Sequence, residues 1–133
     1  MDWMTFALVV VLATIATSFT DWLFMGVLWH DRYQLTPETW RPADKSASVT
    51  RNVLGALLGG ISCLAFAYLL VRIGATGYRP VLCWSVVAWL IGPAPIIAMN
   101  TLWVRMDPRL ALSHSAGWLV RLVVTGLITA ALF

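Results

Sequence analysis

The sequence predicts an all-α integral membrane protein, a four-transmembrane-helix bundle with a short interfacial helix in its first loop. Three observations carry that expectation. Of the 133 residues 60% are hydrophobic and only 11% charged, the mean hydropathy is +0.81, and four apolar stretches reach the roughly 20 residues needed to cross a hydrocarbon core. A soluble domain carries about a quarter charged residues. Nine basic and six acidic side chains cannot coat a water-soluble globule that must also hide this much apolar surface. A soluble enzyme, a disordered regulator and a disulfide scaffold are thereby excluded.

The first apolar stretch, roughly residues 5–29, is far longer than a signal h-region of about 7 to 15 residues and lacks a basic n-region, so it reads as a retained first helix. The loop from His30 to Arg51 is the one long connection and contains Pro37 and Pro42. Within it Thr36-Pro37-Glu38 has the form of a helix start, with Thr as N-cap and Pro at the first helical position, and a short interfacial helix would carry Trp40. The remaining spans fall at roughly residues 52–73, 81–104 and 113–133. Their connections are short, so successive helices are antiparallel neighbours, and residues 1–133 form a single membrane domain. Cys63 and Cys83 lie within apolar spans, where a thiol behaves as a small hydrophobe; both are expected to be free.

Because the spans alternate, the first and third loops share one side of the membrane. That side has Arg32, Arg41, Lys45, Arg51, Arg105 and Arg109, against Arg72 and Arg79 on the other. The positive-inside rule then puts these two loops in the cytoplasm and both termini outside. Trp29, Trp40, Trp103 and Trp118 fall near the cytoplasmic boundary and Trp3 near the opposite one, the distribution of an aromatic belt.

Two formal charges fall inside spans, Asp21 in the first and Arg121 in the fourth. Each would cost about 2.5 to 3.5 kcal/mol at a helix centre. Counting at about 1.5 Å per residue puts both some 12 Å deep from the same face, so an ion pair between the first and fourth helices is expected. Such a pair can fix helix register, or it can form a proton or substrate site; the alternative to pairing is Arg121 snorkelling alone to the interface. Thr14, Thr17, Ser18 and Asp21 recur at i, i+3, i+4, i+7, placing four polar side chains on one helix face. That face is read as pointing inward or lining a wet cavity, with packing hydrogen bonds as the plainer role. Asn100 is expected to clamp helices, within reach of Asp21 or Arg121 if the helices adjoin.

In the third span, Gly92-Pro93-Ala94-Pro95 removes two backbone donors and should kink the helix, or line a site as interrupted transporter helices do. Gly55 and Gly59 form a GxxxG in the second helix, and Gly126 with Ala130 a weaker small-xxx-small pattern, so both mark close helix packing and homo-oligomerisation is expected. His30 and His114 sit at the same boundary; capping or anchoring is the plain reading, and a shared metal or haem iron the sharper one. No Gly-rich phosphate loop, GxSxG elbow or HExxH occurs, no cofactor is predicted, and the dispersed basic residues do not form a nucleic-acid surface.

Gly26-Val27-Leu28-Trp29 ending the first helix, Asn100-Thr101-Leu102-Trp103 ending the third and Trp118-Leu119-Val120 in the fourth resemble the small bacterial membrane proteins grouped as domain of unknown function 1761. The long first loop with a tryptophan and the Gly74-Ala75-Thr76 turn extend the resemblance over nearly the whole chain. It implies a bacterial inner-membrane four-helix protein and supplies no activity. His114-Ser115-Ala116-Gly117-Trp118 departs from the Asn-Ala-Gly-Tyr-Trp run of the family, and Asp21 and Arg121 look like additions to it. The resulting expectation is a non-enzymatic, oligomeric structural or binding component whose partners are the bilayer, further copies of itself and a larger membrane complex. The alternative is a small transporter or channel around Asp21 and Arg121, and a third reading is a haem or metal protein using His30 and His114.

Overall fold

In a computed structural model, which describes residues 2–31 and 45–133, the chain is helical and has no strand among the described residues. Helix α1 spans Trp3–Trp22 and runs on into a π-helical turn at Leu23–Leu28. Helix α2 is Lys45–Arg72, α3 Tyr78–Ile91, α4 Pro93–Trp103 and α5 Pro108–Leu132. Together they make four stretches long and apolar enough to cross a membrane: Trp3–Leu28, Ser48–Arg72, Tyr78–Trp103 and Pro108–Leu132. The interfacial helix expected around Pro37 and Trp40 lies outside the described residues.

Local chemistry accounts for each end. Asp2 caps α1, its carboxylate accepting from the Met4 N–H at 3.0 Å and from the Thr5 hydroxyl. Thr5 first, and then Met4, hold the Asp2 carboxyl below the usual carboxylate range. A lowered pKa means that the cap contributes above that range and is lost as pH falls through the lowered value. The protection factor of the Met4 amide should therefore fall in acid before those of the rest of α1 do.

Helix α2 stops at Gly74, the one residue among those described with positive φ, at 69°. Gly74 N–H donates to the Val71 carbonyl at 3.2 Å and Ala75 N–H to the Leu70 carbonyl at 2.9 Å. This is the Schellman pattern, completed by the apolar contact it favours, since Ala75 and Leu70 share one buried cluster. Gly74→Ala should cost about 1 kcal/mol, read as a lower unfolding midpoint in detergent.

The third span is divided. Gly92, at φ −116° and ψ −89°, ends α3, and Pro93 opens α4 at a position where no N–H is needed. Helix α5 starts at Pro108, earlier than the hydropathy window around residue 113. Its true start is set by Asp107, whose carboxylate accepts from the Arg109 N–H at 2.8 Å. Asp107→Ala should cost about 1 kcal/mol through the lost cap.

Helix α5 is central and packs on α1, α2 and α3; α4 packs chiefly on α5 and α3. Two small buried clusters form the apolar core, one of Phe66, Leu70, Ala75, Val81 and Leu122, the other of Phe6, Val9 and Ala67. Both lie in the half of the bundle near the α2–α3 turn and the start of α1. Outward positions such as Ile15, Phe19, Leu57, Ile61 and Leu90 are exposed large hydrophobics, the surface that a bilayer would solvate.

Candidate functional site

Antiparallel α1 against α2 and α5 stacks residues in layers one helical turn apart. In one layer Arg121 of α5 donates from Nη2 to Oδ2 of Asp21 on α1. The guanidinium carbon lies 4.9 Å from the centroid of the Trp118 ring, within the reach of a cation–π contact. On the α2 side, a Cβ added at Gly59 would collide with Arg121 Nη1. Glycine at 59 therefore leaves the space that the guanidinium fills. One turn away, Cys63 Sγ lies 3.5 Å from Thr17 Oγ1 and 3.4 Å from Thr125 Oγ1, with all three residues buried. The next turn is Ala13, Ala67 and Thr129, again buried. Polarity thus falls from a charged pair to a thiol with two hydroxyls to two alanines with one hydroxyl, toward the apolar clusters.

The charged layer is not sealed. The side chains of Arg121 and Asp21 keep 11% and 26% of their surface accessible, and two cavities meet at the pair. The smaller, about 90 Å³, is lined by Asp21, Ser113, His114, Trp118 and Arg121 with Phe24 and Met25. The larger is a cleft of about 680 Å³ between α1 and α2, whose polar walls are Ser18, Asp21, Arg51, Asn52 and Arg121. Both lie in the half of the bundle nearest the first and third connections.

The π-helical turn shapes this half. Trp29 N–H donates to the Phe24 carbonyl, five residues back, at 3.1 Å; the widened turn begins two residues after Asp21, and Phe24, Met25 and Gly26 line the cavities. π turns recur at functional sites. The sequence reading takes this segment as plain α-helix, and the one signal against that is Gly26 in an apolar run. A Cβ at Gly26 would lie 3.2 Å from the Trp22 ring.

The polar stripe of α1 divides between two environments. Thr17 turns into the core at Cys63, and Thr14 packs on Gly60 while donating to the Val10 carbonyl at 2.7 Å. Ser18 is exposed, donates to the Thr14 carbonyl at 2.8 Å and lines the larger cleft. Asn100 is exposed on α4 and lines neither cavity at the pair. The Gly92–Pro93 break leads instead to an apolar groove of about 250 Å³ between α4 and α5, lined by Ala94, Ile97 and Ala98 among others; Pro95 is exposed there. Gly126 faces α3, with Val81 Cβ 3.1 Å and Ser85 Oγ 3.2 Å from where its Cβ would be. Gly55 has nothing within 4 Å.

His30 is exposed beyond the π turn and lines neither cavity at the pair, whereas His114 is half-buried and does. No group of three or more His, Cys, Asp or Glu that could hold a metal occurs among the described residues. Cys63 and Cys83 are both free thiols, the first buried and the second exposed. One contact that no sequence pattern announces ties α3 to α5: Trp89 Nε1 donates to the Ser115 carbonyl at 2.8 Å.

The model of one protein family, described as "Protein of unknown function (DUF1761)", matches residues 8–130. No curated protein and no solved structure matches the chain.

Proposed function

Because this chain belongs to the DUF1761 family, whose description names no activity, its role has to be read from its own site. We propose that it is a non-enzymatic, oligomeric protein of the bacterial inner membrane, a binding component whose ligand occupies the cleft between α1 and α2. One observation carries this reading: the Asp21–Arg121 pair opens onto about 680 Å³ of space rather than being packed shut. Fixing helix register calls for no open volume beside the pair, since the contact between the two side chains sets the register whether or not the space around it is filled. Asp21, Arg51 and Arg121 place charges of both signs on the cleft wall. The matching ligand has a polar group that meets these charges and an apolar body that lies along Trp22, Met25 and Ala56.

Both termini are assigned to the outside on the charge bias of the loops. A Thr76→Cys variant would then be labelled in intact cells by an impermeant thiol reagent, and protection from that reagent would invert the topology.

Native mass spectrometry from mild detergent tests the main reading. A specific adduct is expected on the wild type and should be lost in Gly55→Leu, which fills the cleft where the space is open. An unliganded protein, or an adduct indifferent to Gly55→Leu, removes the binding role. A second reading, a small transporter, is favoured by the pair's walling both cavities, so that its separation would join them. Asp21→Asn should then abolish flux of the retained ligand in proteoliposomes, whereas a binding component shows no flux to lose.

A further inference from the structure

Serine and threonine hydroxyls inside this bundle follow one habit. Buried Thr17, Ser85, Thr125 and Thr129 each donate to a carbonyl of their own helix, at 3.3, 2.8, 2.9 and 2.8 Å, the ordinary way a membrane helix satisfies a hydroxyl. Ser113 breaks it. The residue is 1% exposed, and its Oγ is the one buried side-chain polar atom among the described residues with no hydrogen-bond partner. An unpaired buried hydroxyl loses its hydration with nothing in exchange, and a rotation back toward its own helix would be the cheap remedy. Instead Ser113 lines the 90 Å³ cavity together with Asp21, His114 and Arg121.

We propose that this cavity is a water-binding site, in which ordered waters hydrogen-bond Ser113 Oγ and the Asp21 carboxylate and give the ion pair a path to solvent. A buried water needs about 10–15 Å³ of such space and two to four polar partners. The cavity offers several times that volume, with partners from α1 (Asp21) and α5 (Ser113, Arg121). Charge argues for water over an ion. Asp21 and Arg121 cancel, so a bound ion would lose its hydration for a site with no net charge to attract it. Water satisfies the hydroxyl without that cost. Ser113, whose hydroxyl calls for water, lines only the smaller cavity, which meets the larger cleft at Asp21, Met25 and Arg121.

Thiol chemistry tests the proposal, because the thiolate that reacts with a methanethiosulfonate forms only where water reaches. In a Cys83→Ala background, Cys63 is the internal reference for a dry interior, being buried between Thr17 and Thr125. Ser113→Cys puts a thiol at the orphan hydroxyl. Gly117→Cys puts one on the same cavity wall at a position where a Cβ meets nothing within 4 Å, so it decides the matter if the first variant does not fold. With a charged methanethiosulfonate in detergent, modification at 113 and 117 is expected at least tenfold faster than at Cys63. Rates equal to that of Cys63 at the positions that fold would show the cavity to be dry and overturn the proposal.

Discussion

Asp21→Asn is expected to destabilise the bundle by about 3 kcal/mol, and Arg121→Gln by less, about 2 kcal/mol. The order follows from what each variant leaves behind. Without Asp21 the guanidinium stays charged, because arginine does not lose its proton in proteins, and it is held by Trp118 and Gly59 in a pocket that leaves 11% of its side chain accessible. Without Arg121 the carboxylate can take up a proton or draw on the adjoining cavities, and 26% of its side chain is already accessible. The double variant should cost clearly less than the two single changes combined, with a coupling of at least about 1 kcal/mol in a double-mutant cycle. Unfolding in mixed micelles measures all three; strict additivity would mean that the two side chains do not stabilise one another.

The pair illustrates how far a linear sequence reaches. Asp21 and Arg121 are a hundred residues apart, yet counting helical rise from two span boundaries puts them at one depth, because rise per residue is fixed whatever the neighbours are. Helix rotation has no such local rule. Thr14, Thr17 and Ser18 share a face by spacing, but that face is wide enough to meet two different surroundings. Thr17 and Thr14 meet α2 at Cys63 and Gly60, and Ser18 the open cleft. Asn100 fails to reach the pair for a related reason: the break at Gly92 sends α4 against α5 and α3, and hydropathy says nothing of a helix's direction after a break. The early start of α5 was legible at Asp107-Pro108, an N-cap followed by a first-turn proline, although an apolar window begins later. The orphan hydroxyl of Ser113 and the π turn after Trp22 depend on which carbonyls find partners in three dimensions; no residue type marks the first, and Gly26 is the one slight sign of the second.

Gly59→Val should lower stability by about 2 kcal/mol, while Gly55→Val changes it by less than about 0.5 kcal/mol. The two positions belong to one GxxxG and are alike in sequence terms. Valine at 55 enters open space beside the cleft. At 59 the first added carbon already overlaps Arg121 Nη1. A flexible arginine would normally swing clear at little cost, but this one is fixed at its far end by Asp21 and along its plane by Trp118. Displacing it either breaks the ion pair or forces α2 away from α5, and the second course would also open the Thr125–Cys63 contact one turn along. The two routes can be distinguished by adding Asp21→Asn to Gly59→Val. If the valine acts by expelling the guanidinium from its partner, much of its cost disappears once that partner is gone; if it acts by separating helices, the cost remains. The first outcome is expected, because one side chain moves more cheaply than two packed helices.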